Sequence, residues 1–377
     1  MILIEALLTI VILGSIVFYG ACAWFCYRFF ATKPEINTAI VQPVSILVPI
    51  CGLDEGAIEN WTSLCVQNHP TYEVLFGVVD PTDPAVPVLH QLAEQYPDRV
   101  RVFVGLPPRG INHKDSTLSY LLEKVQHEIL IFVDSDIRVQ PDYIHQIITP
   151  IVEDRADVIT CAYVGHDPQF LGAALASLGR CCDFIPSALI ARFIDRGLRF
   201  AIGVTIATRK TTLEKFGGLQ LNRIGSDYNL GKRAAQAGYR VELSHLVLES
   251  DTGTETVAEL FQRELRWART IRFNRGAVYY SMIFCYGIVF CVPLLLMSQF
   301  AVWTVALSIV ALIVRYIEAA ITAFSVGSPK LLRWFWALPL RDLLSLIIWS
   351  FGAVGREAFW RGRRLRIEGD GLIQQLE

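Results

Sequence analysis

Charge is what this chain has little of. Asp, Glu, Lys and Arg make up 19% of its 377 residues, hydrophobic residues make up 53%, and the mean hydropathy is +0.40. An ordinary soluble enzyme carries more charge, so the composition points to a membrane protein. Thirty-four basic residues stand against 36 acidic ones, a net charge of −2, and no global basic field speaks for nucleic acid. The nine cysteines contain no C-x-x-C pair, which fits a reducing compartment better than a disulfide framework. The histidines form no H-E-x-x-H, and there is no G-x-x-x-x-G-K-[ST] loop or G-x-S-x-G elbow. These absences argue against a P-loop NTPase and an α/β-hydrolase. Internal repeats and low-complexity tracts are missing too.

The long apolar runs are confined to the two ends. Residues Ala6 to Tyr27 are almost uninterruptedly apolar, enough to cross a bilayer core as a helix and too long for a signal-peptide core. Glu5 precedes the run and Arg28 and Lys33 follow it, so the positive-inside bias puts the N-terminus outside and the next segment in the cytosol. The expected anchor is residues 1–33. From Ala277 to about Phe324 a second apolar region is long enough for two spans, broken only by Arg315 and Glu318. Trp334 to Val354 is a third, with Arg341 and Asp342 inside it. An intramembrane ion pair is costly, so this piece is expected to be a hairpin or re-entrant element that leaves the C-terminus cytosolic. The region 277–358 is thus expected to be membrane-embedded. It is followed by a basic tail, 359–377, that includes Trp360-Arg361-Gly362-Arg363-Arg364.

Between these ends, residues 44–276 alternate strand and helix patterns. Val44–Ile50, Glu73–Val79, Val100–Val104 and Ile129–Val133 read as strands, with helices near Asp54–Gln67, Ala85–Gln95 and Ser116–Val125. This is the rhythm of a parallel α/β sheet. Further strands are expected near Val158–Val164, Phe200–Ala207 and Arg240–Leu243. Phe170–Phe200 is apolar enough for either an interfacial helix or a buried core helix.

Four features in this region could carry chemistry. Five apolar residues, Ile129–Val133, run into Asp134-Ser135-Asp136. Two carboxylates one residue apart repel unless a cation sits between them, and their hard oxygens suit Mg²⁺ or Mn²⁺. The plain alternative is a polar strand-to-turn transition. Asp80 closes the second strand, where it could hold a nucleotide or simply start a turn. Ser226 and Asp227 open a helix as N-cap and first-turn acid, and Asp227 could equally be a general base. Last, arginines recur at 263, 266, 269, 272 and 275 just before the membrane. They suit anionic lipid, or a diphosphate gripped by Arg263 and Arg266 with Trp267 as an aromatic wall.

In order and spacing these motifs resemble those of the ceramide glucosyltransferase family, membrane glycosyltransferases of the GT-A fold that include bacterial hopanoid-associated enzymes. Asp80 resembles the family's first aspartate, Asp134 its second and Asp227 its third. Arg263-Glu264-Leu265-Arg266-Trp267 resembles its (Q/R)-x-x-R-W motif. Gly110-Ile111-Asn112-His113-Lys114 resembles a family loop, with Lys114 at its lysine and His113 where some relatives have proline. The resemblance implies inverting transfer of a sugar, glucose first, from a UDP-sugar to the hydroxyl of a ceramide-like membrane lipid. Asp80, Lys114, Asp134, Arg263, Arg266 and Trp267 would then bind substrate, Asp134 and Asp136 would hold Mg²⁺ or Mn²⁺, and Asp227 would be the base. Transfer of N-acetylglucosamine to a hopanoid, a processive polysaccharide synthase and a non-catalytic scaffold are the alternatives.

Overall fold

The computed structural model describes residues 2–33, 35–251, 253–360 and 362–376. Arg361 of the basic tail, like Met1, Pro34, Thr252 and Glu377, lies outside the described residues. After helix α1 (Ile2–Ala31) the chain alternates strands and helices: β1 (Val44–Ile50), α2 (Ala57–Cys65), β2 (Tyr72–Val78), α3 (Ala85–Gln95), β3 (Val100–Val104), α4 (His113–Leu122) and β4 (Ile129–Val133). It continues through β5 (Ile137–Arg138), α5 (Tyr143–Val152), β6 (Val158–Gly165), α6 (Leu171–Gly179), a π-helical turn (Arg180–Phe184), α7 (Ile185–Ile194) and β7 (Thr205–Arg209). Then come α8 (Lys210–Lys215), α9 (Ser226–Gln236), β8 (Val241–Ser250), α10 (Val257–Arg275), α11 (Gly287–Met297), α12 (Val302–Ser325) and α13 (Leu338–Gly352). Three short strands end the chain: β9 (Glu357–Trp360), β10 (Arg363–Ile367) and β11 (Ile373–Gln375).

Strands β1 to β8 form one sheet in the order β3-β2-β1-β4-β7-β6-β8-β5. β1, β2, β3 and β4 are parallel, with Val44 beside Tyr72 on one flank and Ile129 on the other. The chain moves outward from β1 to β3 and returns to β4 on the opposite side, so the strand order reverses between β1 and β4. A reversal of this kind opens a crevice beyond the carboxyl ends of the two strands, the usual place for a ligand in an open α/β sheet. Here the crevice lies between Cys51 and Asp134. All five residues of β4 and all eight of β6 are buried, which explains the unbroken apolar sequence of β4 and the mostly apolar one of β6. The strand expected at Phe200–Ala207 begins only at Thr205. Before it, the backbone of Ile202 is held from both its N–H and its C=O by the Thr160 hydroxyl.

Among the described residues four helical stretches are long and apolar enough to cross a membrane: Ile2–Ala31, Leu171–Ile194, Val257–Met297 and Val302–Ser325. α1, α11 and α12 expose Leu7, Ile10, Val17, Val292, Leu296, Ile309 and Ile313, a face fit for lipid. They meet through small residues. A Cβ on Gly287 would stand 2.1 Å from that of Ser15, and the Gly287 N–H donates to the Tyr19 hydroxyl at 3.1 Å. Leu171–Ile194 differs from them, because every residue from Gly172 to Gly179 is buried. Of the two readings of Phe170–Phe200, the buried core helix is found for α6, while Phe193 and Ile194 at the end of α7 are exposed.

Arg341 and Asp342 do not pair with each other, contrary to the ion pair expected inside the last apolar run. The fully buried Arg315 of α12 donates to Asp342 Oδ1 at 2.6 Å, to Glu318 Oε2 at 2.7 Å and to Asp183 Oδ1 at 2.7 Å. Arg341 donates to Glu264 Oε1 at 3.0 Å and stands 3.5 Å from Asp183 Oδ2. One buried network therefore ties the apolar helices to the π-turn and to α10. Each arginine reaches carboxylates on other elements, and Arg315 also holds Glu318 of its own helix, because a buried charge is stable only when it is paired.

Candidate active site

At the β1/β4 crevice the Asp134 N–H donates to Val204 O at 3.0 Å, and its carboxylate forms an ion pair with Lys114. Lys114 sits in the first turn of α4, capped by the Asn112 side chain, and also donates to Gly203 O at 3.1 Å. Burial pushes the Asp134 carboxyl up to about 6, with Lys114 offsetting part of the rise and Asp136 adding to it. Burial would pull the Lys114 ammonium down, but Asp134 and Asp227 beside it hold it above its ordinary value. Across the turn, Trp61 Nε1 donates to Ser135 O at 3.1 Å and Ser250 Oγ to Asp136 Oδ2 at 3.1 Å. The two carboxylates are thus fixed by β4, α2 and β8 together.

Asp227 comes to this cluster from α9. The cap of α9 is Gly225, at φ 59°, and not Ser226. A Cβ on Gly225 would press to 2.6 Å from the Thr270 methyl of α10, so a glycine serves both the left-handed backbone and the close approach. Ser226 is instead the first helical residue, and its hydroxyl donates to Asp115 Oδ1 at 3.0 Å. The Asp227 carboxylate lies against the backbone of Gly203, where a Cβ would fall 2.6 Å from Oδ2. Lys114, Asp134, Asp136 and Asp227 are therefore brought together.

Asp80 stands apart. It is exposed, and its Oδ1 accepts from the Thr82 N–H at 2.8 Å and the Thr82 hydroxyl at 2.7 Å. These bonds hold its carboxyl below the usual range. They serve the turn, and no described bond joins Asp80 to the other acids.

The last motif opens with a capping box between Thr256 and Glu259. Arg263 pairs with Glu255 Oε1 at 2.7 Å and lies over the Trp267 ring, 5.0 Å from its centroid. Arg266 lies 5.3 Å from the centroid of Trp360. The other arginines of the band are committed to protein: Arg269 to Glu357 O, Arg272 to Ala353 O and Gly355 O, and Arg275 to Asp195 Oδ2 at 3.3 Å. Burial raises the Tyr163 phenol, and Arg180 and Arg263 act on it alongside Asp136 and Asp134. One buried ring thus has the arginines and the acid pair as neighbours.

Three residues of the neighbourhood are not expected from the sequence. Asp115 is buried beside Lys114, and burial pushes its carboxyl up to about 7. Arg180 is buried, with its guanidinium 4.8 Å from the Tyr163 centroid. Asp251 follows β8, takes a hydrogen bond from Asn60 and adds charge near Asp136. Asp115 has the sequence signature of any first-turn helix acid, and the other two have no local signature at all.

The donor chemistry of Asp134 and Asp136 suits a hard divalent ion. No cluster of three or more His, Cys, Asp or Glu side chains that could hold a metal occurs among the described residues. Two carboxylates alone fit an ion whose remaining ligands are phosphate oxygens and water, as Mg²⁺ commonly has.

This sheet order, with carboxylates at its reversal, is the GT-A glycosyltransferase fold. It superimposes on the mannosyltransferase PcManGT from Pyrobaculum calidifontis, solved in complex with GDP-Man and Mn²⁺, with a TM-score of 0.53 and 17% identity, over 92% of this chain and 96% of that one. The chain belongs to Glycosyl transferase family 21, whose sequence pattern it matches over residues 7–373. Ceramide glucosyltransferases 1 and 3 of Caenorhabditis elegans are each 23% identical to it, over 251 and 242 residues. Those alignments take in 65% and 60% of this chain. It spans about half the length of these curated relatives, 53% and 50%.

Proposed function

We propose that this glycosyltransferase carries out a single inverting displacement, moving a sugar from a UDP-sugar to the hydroxyl of a membrane lipid. Glucose and a ceramide-like acceptor are the first choice, because both worm relatives are named ceramide glucosyltransferases. The observation that carries the reading is the convergence of Lys114, Asp134, Asp136 and Asp227 at the β1/β4 reversal. Asp227 takes the proton of the acceptor hydroxyl as its oxygen bonds to the anomeric carbon. The bond from that carbon to the diphosphate oxygen breaks, and UDP leaves with the electron pair. Asp80 and Asp134 bind the nucleotide, Lys114 orients Asp134, and Arg263, Arg266 and Trp267 close on the diphosphate. Mg²⁺ or Mn²⁺ held by Asp134 and Asp136 supplies positive charge to the leaving group when bound. The mannosyltransferase of the same fold, in complex with GDP-Man and Mn²⁺, supports such an ion.

In this proposal residues 44–276 are the catalytic region on the cytosolic face of a multi-pass protein, in a bacterial inner membrane or the Golgi according to source. The acceptor keeps its tails in lipid beside α1, α11 and α12. A hopanoid acceptor with UDP-N-acetylglucosamine uses the same site with other substrates. The test is metal removal: EDTA is expected to lower UDP release on the order of 10²-fold, and Mg²⁺ or Mn²⁺ to restore it. Asp136→Asn should require more metal for the same rate. Turnover indifferent to EDTA would remove the metal from the proposal.

A further inference from the structure

The chain ends in a small antiparallel sheet, β11-β10-β9, packed on the α/β region and therefore on the same side of any membrane. Side chains alternate along β10. Leu365 and Ile367 are fully buried, while Arg364 turns outward to Glu357 at 2.7 Å. Arg363 is in phase with the inward residues. Its Nη1 donates to Ile111 O at 2.9 Å and lies 3.0 Å from His113 Nε2, and Cys51, just past β1, is within its electrostatic reach. His113 opens α4 and is the neighbour of Lys114, the partner of Asp134. The guanidinium therefore touches the loop that borders the β1/β4 crevice.

Other contacts pin the sheet from the catalytic side. The Ile373 N–H donates to Asn222 O at 3.0 Å and the Ile224 N–H to Gly371 O at 2.9 Å. Asp370 takes Arg223 at 2.7 Å and Lys232 at 3.1 Å. The same segment grips the loop, with Ile111 N–H donating to Asn222 Oδ1 at 2.9 Å and Asn112 Nδ2 to Arg223 O at 2.9 Å. Arg266 of the arginine motif rests on Trp360 of β9. Burial, and then Arg363 itself, hold His113 below its ordinary pKa, so its neutral ring can accept at Nε2.

We propose that the C-terminal sheet completes the donor pocket, and that Arg363 is a positioning residue that holds Ile111–His113 over the carboxyl ends of β1 and β4 for a nucleoside diphosphate. The proposal rests on the nucleotide-sugar reading above. Without Arg363 the loop loses a charge-assisted anchor, and Lys114 loses the fixed start of its helix. Donor binding suffers while the base Asp227 and the chemical step stay as they were.

The test uses the full chain, with UDP and GDP affinity, donor KM, kcat and Tm measured on each variant. Arg363→Gln is expected to weaken UDP binding and raise donor KM about tenfold, with kcat within about twofold and Tm little changed. Arg363→Lys, which keeps the charge and loses the fork, should fall between it and the wild type. Arg364→Gln, on the outward face, should match the wild type. If Arg363→Gln does not fold, Arg363→Lys decides alone, and wild-type KM in it overturns the proposal. A loss of Tm or kcat at unchanged donor KM would also overturn it, leaving the tail a structural brace. If the wild-type protein transfers sugar but Arg363→Gln binds UDP equally well, only this inference falls. If the wild type binds neither nucleotide, the nucleotide-sugar reading falls with it.

Discussion

Asp227→Asn is expected to lower kcat by about 10³-fold, within the range for loss of a positioned general base, and to leave donor KM near the wild-type value. The amide keeps the size of the side chain and the polar first turn of α9, and it removes the charge felt by Lys114, Asp115 and Asp134. The fold should not suffer, since the Gly225 cap and the Ser226–Asp115 bond do not involve the carboxylate. Single-turnover transfer would register the loss directly. Full activity in Asp227→Asn would move the base elsewhere, with Asp115 the next candidate.

The other large effect concerns stability. Arg315→Met keeps the volume and removes the cation that Asp183, Glu318 and Asp342 share. Leaving buried carboxylates without their partner costs about 3–5 kcal/mol. For a chain of this size that corresponds to a fall in Tm of roughly 4–6 °C, read by differential scanning fluorimetry in detergent. Arg315→Met combined with Asp342→Asn should recover part of the loss, because one orphaned charge is gone. The network also reaches α10 through Arg341 and Glu264, so the single variant should loosen the arginine motif and reduce activity as well. An unchanged Tm would mean that these groups are neutral or hydrated in the folded protein.

How much is legible in the sequence varies by residue for physical reasons. Ile129–Val133 and the acids after it are readable because burial on both faces writes an unbroken apolar run, and charge at its end is costly. β1, β3, β4 and α3 agree with the sequence residue for residue, since short strands and a periodic helix have sharp local patterns. Phe170–Phe200 leaves two readings because a segment buried in protein and one lying in lipid have the same composition. Arg341 and Asp342 are visible as charges, but their partners at positions 264 and 315 are set by tertiary packing alone. The same holds for Asp115 and Arg363. In sequence Asp115 is an ordinary helix-opening acid, and Arg363 is one more charge in a basic tail; only the pairing of β10 turns it inward. Asp80 shows the converse, a motif residue whose described hydrogen bonds are those of an ordinary turn.

Sugar transfer to lipid is the centre of the account, and one assay measures it. Membranes containing the protein are given labelled UDP-glucose or UDP-N-acetylglucosamine with Mg²⁺ or Mn²⁺, and either ceramide or a hydroxylated hopanoid, and the lipid phase is extracted and counted. The account predicts label in ceramide from UDP-glucose that disappears with Asp227→Asn, while label in the hopanoid would keep the mechanism and change the substrates. No lipid label from either donor, or label only in a water-soluble polymer, would contradict it.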